Sequence, residues 1–154
     1  MPCITGFDGK AYYNSGTNAS PTWVEIAFAR DVNTTSSADK LDASDRSSKF
    51  KKYCSGQLEI ETTITATYNR TEAGAAGAIE VLRDHYHNRT AVQVAIVDGP
   101  ITTTGNEGYK FYANVFSNDW DQPLSDGQTV TMTFCPTYFV ESSSVIEPEW
   151  FIAS

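Results

Sequence analysis

Residues 57–68 read Gln57-Leu58-Glu59-Ile60-Glu61-Thr62-Thr63-Ile64-Thr65-Ala66-Thr67-Tyr68. Successive side chains of an extended chain point to opposite faces. Leu58, Ile60, Thr62, Ile64 and Ala66 therefore share one face, and Glu59, Glu61, Thr63, Thr65 and Thr67 share the other. The first face is expected to be buried and the second solvated. The density of residues branched at Cβ suits a pleated, half-buried surface. A strand of this length exceeds the usual ~5–6 residues and is expected to bend or to project beyond the core.

The same period of two recurs on either side. In 22–30, Val24, Ile26 and Phe28 alternate with Glu25, Ala27 and Ala29. Ala91–Val97 reads as a strand stopped by Asp98-Gly99-Pro100, and Gly105 to Gly108 as part of a hairpin turn. In 108–117 large residues occupy both faces, so both faces are expected to be covered. Val130, Met132 and Phe134 alternate with threonines in 127–135, before Pro136. Weaker strands are expected at 9–13 and 149–153.

One stretch has helical period. Over 71–87, Thr71 can cap and Glu72 suits the first turn, while Ala75, Ala78, Ile79 and Leu82 fall at three- and four-residue spacing. These four are expected to pack against the sheet or a neighbouring subunit. Strands, one helix, then strands again exclude regular βαβ alternation. The expected class is mainly β: an antiparallel β-sandwich or barrel with one flanking α-helix and a long polar loop, as one domain over 1–154. That loop is 31–53, where Asp39, Lys40, Asp42, Asp45, Arg46 and Lys49 alternate in sign among Ser, Thr and Asn. It reads either as a solvated mobile loop or as an interaction arm ordered by a partner.

The chain of 154 residues has 40% hydrophobic and 19% charged residues, ordinary for a globular protein. No apolar run approaches the ~20 residues of a membrane span, and residues 1–8 have no basic or apolar leader pattern, so no membrane and no secretory route are expected. Cys3, Cys54 and Cys135 show no paired spacing and read as free thiols.

A search for chemistry finds no catalytic or metal constellation and implies no cofactor. His85 and His87, the only histidines, are two apart on a helix and do not share a face. Asp39, Asp42 and Asp45 lack the glycine and terminal glutamate of a calcium loop. Glu59 and Glu61 read as a solvent face rather than an acid pair. Trp23, Trp120, Trp150 and eight tyrosines leave a carbohydrate-binding β-sandwich module as the alternative, one that requires a coplanar exposed aromatic pair.

The net charge of −8 is uneven: from Asp98 onward eight acids face the single base Lys110, giving −7. Such a chain suits repelling nucleic acid better than binding it.

The stretch Ala29-Arg30-Asp31-Val32, then Leu41-Asp42-Ala43-Ser44-Asp45-Arg46-Ser47-Ser48-Lys49-Phe50, then Gly56-Gln57-Leu58-Glu59-Ile60-Glu61 resembles the major tail tube proteins of tailed bacteriophages. The opening Gly6-Phe7-Asp8-Gly9-Lys10-Ala11-Tyr12, the helix and the Leu124-Ser125-Asp126-Gly127 turn fall in the same order. The resemblance implies a structural virion protein without catalytic residues. It implies hexameric rings that stack into a tube around a channel, with 31–53 reaching the neighbouring ring. In such a tube Glu59 and Glu61 are the leading candidates to line a negative lumen; the outer wall is the other place for them, because alternation does not say which face looks inward. The implied partners are further copies of the chain, tape-measure, tail terminator and baseplate or tip proteins, and DNA that passes through without specific binding. The implied location is the virion tail, with assembly in the host cytoplasm. Contractile and non-contractile tails are not separated by it.

Overall fold

The computed structural model of the protein describes residues 3–26, 29–70 and 77–154. Strands form at Lys10–Asn14 (β1), Trp23–Glu25 (β2), Ala29–Asp42 (β3), Tyr53–Thr67 (β4), Val92–Val97 (β5), Glu107–Asp121 (β6), Thr129–Pro136 (β7), Val140–Glu141 (β8), Ser144–Val145 (β9) and Glu149–Ile152 (β10); the helix Ala78–Asn88 (α1) lies between β4 and β5. Eight strands make one antiparallel sheet in the order β2-β1-β5-β6-β7-β4-β3, with β10 also on β6.

The 15-residue β6 joins the two halves of this sheet. Its first part, Gly108 to Ala113, pairs with β5, and its second, from Ala113 to Asp121, pairs with β7. A bulge between Val115 and Ser117 separates the parts, and bulges bend a strand. The inward residues of both halves meet in one cluster. Tyr13, Val94 and Phe111 come from one half, Ile64, Met132 and Phe134 from the other, and Ile79 and Leu82 from α1. Among the described residues the protein is thus mainly β with the helix α1, and its two halves share a single sheet. Close strand approach at the start of β6, where Gly108 pairs with Val97, depends on that glycine, because an added Cβ would run into the carbonyl oxygen of Ile96.

Near the joint both faces are covered. Val92 and Val94 turn to the main cluster, while Ala95 and Val97 pack with Tyr12, Trp23, Ile101 and Phe151 on the other side. Gln93 is buried there as well; its amide oxygen accepts from Asn14 Nδ2 at 2.7 Å and its Nε2 donates to Asn18 Oδ1 at 3.0 Å. A buried amide is tolerated when its hydrogen bonds are made.

Within α1, Ala78, Ile79 and Leu82 are buried. Their i, i+1, i+4 spacing forms a narrow stripe against the sheet. The described helix begins at Ala78 after Gly77; the expected cap at Thr71, the first-turn Glu72 and the packing residue Ala75 lie outside the described residues. It ends after Asn88, where Arg89 takes a left-handed conformation (φ 56) and Thr90 N–H donates to the carbonyl of His85 at 3.1 Å.

Three expectations change. The strand read over 22–30 is two elements, β2 and the start of β3; Ile26 between them donates its N–H to Ala11 O, and Ala27 and Phe28 lie outside the described residues. The polar stretch 31–53 is mostly not a loop, because Asp31 to Asp42 pair with Thr65 to Tyr53 and only 43–52 connect the strands. Backbone pairing with β4 makes β3 a strand, and that needs no apolar face. Finally, Leu58 sits on the core side of β4 yet is 76% exposed, because the strand has run past the core at that point.

Candidate assembly surface

The β3–β4 hairpin leaves the body of the protein as an arm. β7 supports β4 only from Thr62 to Thr67. Between Thr35↔Glu61 and Asp42↔Tyr53 the two strands pair with each other and with nothing else among the described residues. At ~3.4 Å per residue this free ribbon is about 25 Å long. Ile60 at its base is buried, and beyond it side chains are exposed on both faces, including Leu41, Tyr53 and Leu58. An isolated two-stranded ribbon in water is marginal at best, so the arm has the form of a structure completed by another surface.

Local chemistry explains why the ribbon nonetheless has a defined end. Asp42 Oδ1 accepts the N–H of Ser44 at 2.8 Å, and Asp45 Oδ1 accepts that of Ser47 at 2.9 Å. Ser44 Oγ accepts from Lys52 N at 2.9 Å, and Ser48 Oγ accepts from Phe50 N at 3.1 Å. Asp and Ser compete for nearby backbone groups in this way and so favour turns. The hydroxyl and N–H of Ser44 hold the Asp42 carboxyl below its ordinary value, and those of Ser47 do the same for Asp45. Arg46, Lys49, Phe50, Lys51 and Lys52 are left facing solvent at the tip, with Lys49 Nζ 5.7 Å from the Phe50 ring. Lys40 lies 5.5 Å over the Tyr53 ring.

Asp39 sits opposite a bulge. Between Ala38↔Leu58 and Lys40↔Ser55, β4 carries two residues, Gly56 and Gln57, against one on β3. An added Cβ at Gly56 would stand 2.9 Å from the Asp39 Cβ. Gly56→Val is therefore expected to open the outer part of the arm by about 1–2 kcal/mol and leave the body intact. Amide hydrogen exchange checks this: protection should fall in 38–56 and hold in β5 to β7, and unchanged protection in the arm would refute it.

The outer edge of β3 is unpaired in the sheet order. Residues 32–38, Val-Asn-Thr-Thr-Ser-Ser-Ala, carry neither charge nor proline along that edge. Proteins ordinarily block such an edge, so an unblocked one is a surface for strand pairing with another chain. Beneath the arm, Leu58 and Ile60 with Tyr138, Val145, Ile146 and Trp150 line an open groove of about 770 Å³.

Glu59 and Glu61 lie on the opposite face. Register places Asp31, Thr65, Thr131 and Asp119 in one row across four strands, and Asn33, Thr63, Thr133 and Ser117 in the next. Thr65 and Thr131 hydroxyls are 3.3 Å apart, and Ser117 Oγ donates to Thr133 Oγ1 at 2.9 Å. Thr67, Thr129 and Asp121 continue the face at one end, and Glu61 beside Thr35 and Glu59 beside Ser37 continue it along the arm. This platform is polar and acidic, with no Lys or Arg at these positions. Cys135 borders it, with Sγ 4.0 Å from Glu61 Oε2; burial pushes its thiol up, and the carboxylates of Glu61 and Glu59 push in the same direction.

Alternation along one strand revealed Glu59 and Glu61, but not that Asp31, Asp119 and Asp121 join them. That depends on cross-strand register, which no local pattern carries. Ala78, Ile79 and Leu82 belong to the core and not to this surface. Among the described residues the aromatic contacts are mutual: Tyr109 and Trp150 meet edge to face at 90°, Tyr68 and Trp120 stack on each other, and Tyr112 stacks on Phe139 while itself buried.

No family model and no curated protein matches the chain. Solved structures do match it in fold. The SPP1 tail tube structure aligns with a TM-score of 0.71 at 14% identity, covering 96% of this chain and 78% of that one. The tail of an empty gene transfer agent particle, refined with C6 symmetry, aligns at 0.68 and 12% identity, covering 86% and 93%. A chain of the anti-feeding prophage baseplate aligns at 0.60 and 9% identity, covering 98% and 96%. The chain therefore has the fold found in these tail and baseplate structures.

Proposed function

We propose that the protein is the structural subunit of a phage-type tail tube, self-assembling into hexameric rings that stack around a channel for DNA. The observation that carries this reading is the bare hairpin arm, an ordered ribbon with an unblocked edge and no pairing partner among the described residues of the protomer. The shared fold of the tail structures supports it, and the C6 symmetry of one of them supports six copies per ring. A heterologous contact that closes gives a ring, and one that repeats along an axis gives a tube. In this reading the arm, with Asp39, Lys40, Asp42, Asp45, Arg46 and Lys49, reaches the next ring. Tape-measure, terminator and baseplate proteins would meet the tube's interior and ends. The protein would work in the virion tail after assembly in the host cytoplasm, and it would catalyse nothing. Negative-stain microscopy of the purified protein tests the reading. Rings or tubes of uniform diameter are expected, and particles that stay monomeric at high concentration reject it.

The arm end of the acidic platform is assigned to the channel wall, where Glu59 and Glu61 contribute to a negative lumen. Carboxylates there keep a polyanion from adsorbing, an effect that salt screens. Glu59→Gln with Glu61→Gln is expected to leave tube formation intact and to increase DNA retention by preformed tubes at low salt. Equal retention by variant and parent would place these acids elsewhere.

A further inference from the structure

The arm tip and the β6–β7 turn carry opposite charge. The tip carries four bases, Arg46, Lys49, Lys51 and Lys52, against one acid, Asp45. Among the described residues none of the four bases forms an ion pair, whereas Lys10, Arg83 and Lys110 do. Phe50, 70% exposed, stands among them. The β6–β7 turn carries Asp119, Asp121 and Asp126 without a base, and Leu124 stands fully exposed among these acids.

Their placement relates the two. β4 leaves the tip at Tyr53 and ends at Thr67, about 45 Å away at ~3.3 Å per residue. Thr67 pairs with Thr129, and Thr129 pairs with Asp121. The basic tip and the acidic turn are therefore opposite ends of one ribbon, each an apolar side chain rimmed by charge of a single sign. A surface and its complement at opposite ends of a rigid element join head to tail between copies and never within one.

We propose that the tip of one copy docks on the β6–β7 end of the next, Arg46, Lys49, Lys51 and Lys52 facing Asp119, Asp121 and Asp126, with Phe50 against Leu124. This inference rests on the tube reading and adds to it the receiving surface and the force. Charge complementarity of this kind fixes register and speeds encounter, while the apolar centre supplies contact that salt does not screen. The tip's bases would also suit a phosphate backbone, but the acids waiting at the far end of the same strand favour a second copy.

Three variants test it. The first reverses the tip with Lys49→Glu, Lys51→Glu and Lys52→Glu. The second reverses the turn with Asp119→Lys, Asp121→Lys and Asp126→Lys. The third combines all six, so that each surface again meets its complement. Assembly is followed by sedimentation and microscopy, and folding by circular dichroism. The first two are expected to stay folded and to raise the critical concentration at least ~10-fold, since like charges across a contact are strongly repulsive. The third is expected to return it close to the parent value. Raising salt from about 0.1 to about 1 M, which shortens screening from about 10 to about 3 Å, should weaken the parent's assembly and help both half-reversed variants. Assembly by the first variant at parental concentrations, or a folded third variant that does not recover, overturns the proposal. Intact assembly with lost DNA retention in the first variant overturns it in favour of a polyanion site. A parent chain that assembles in no buffer removes the tube reading itself, a result distinct from the others.

Discussion

Replacing residues 37–59 by a two-residue Asn-Gly turn that joins Ser36 to Ile60 is expected to give a folded protein that no longer forms tubes. Ser36 and Ile60 are partners in the β3–β4 register, and a two-residue turn connects such a pair. No side chain in the removed segment is buried, so the core keeps Ile60, Ile64 and their neighbours. Surface changes away from the core usually alter stability by ~0.5 kcal/mol or less. The melting temperature should therefore stay within a few degrees while assembly is lost altogether. Microscopy and sedimentation at high concentration decide the outcome: tubes of ordinary length from this variant would deny the arm any part in stacking. The excision is matched on both strands because deleting only part of β3 would strand the outer half of β4.

How much of this arm was legible in the sequence follows from what patterning can report. Strand β4 announced itself because Ile60, Ile64 and Ala66 face a core while Glu61, Thr63 and Thr65 do not. Strand β3 announced nothing, because both faces of Asp31 to Asp42 are solvated and no alternation arises. Its order comes from main-chain pairing with β4, which leaves no mark in the choice of side chains beyond a supply of threonine and serine. The exposure of Leu58 has the same origin: its parity is that of the core face, but parity says nothing of where the core stops. The resemblance to tail tube proteins, carried by the tip and the strand that leaves it, agrees with the fold shared with solved tail structures despite identities of 9 to 14%.

The buried Gln93 was hidden for another reason. A polar residue within a hydrophobic run reads as a solvent-facing position, and only its bonds to Asn14 and Asn18 make burial tolerable. Those partners are 79 and 75 positions away. The acidic platform shows the same dependence on register. Its acids are spread from Asp31 to Asp121, and they become one surface only through the pairings of β3, β4, β7 and β6.

Leu82→Ala is expected to cost about 2–5 kcal/mol, the range for removing a buried leucine side chain and leaving part of its cavity unfilled. Leu82 is 3% exposed and faces Ile26, Ile64, Ile79, Met132 and Phe134, so its loss opens a space bounded by three strand side chains, Ile26 from the β2–β3 connection and its own helix neighbour. Against a typical total of ~5–15 kcal/mol the change is large, and for a chain of this size it should lower the melting temperature by roughly 5–15 °C. The exposed His87, on the same helix, provides the control, with His87→Ala expected to change little. Measuring both in dilute protein, where no rings form, separates two roles for the helix. A large drop for Leu82→Ala in the monomer means that α1 holds the two halves of the sheet together. If the monomer's melting temperature is unchanged and only assembly suffers, the helix stripe serves a neighbouring subunit and its placement in the core is wrong.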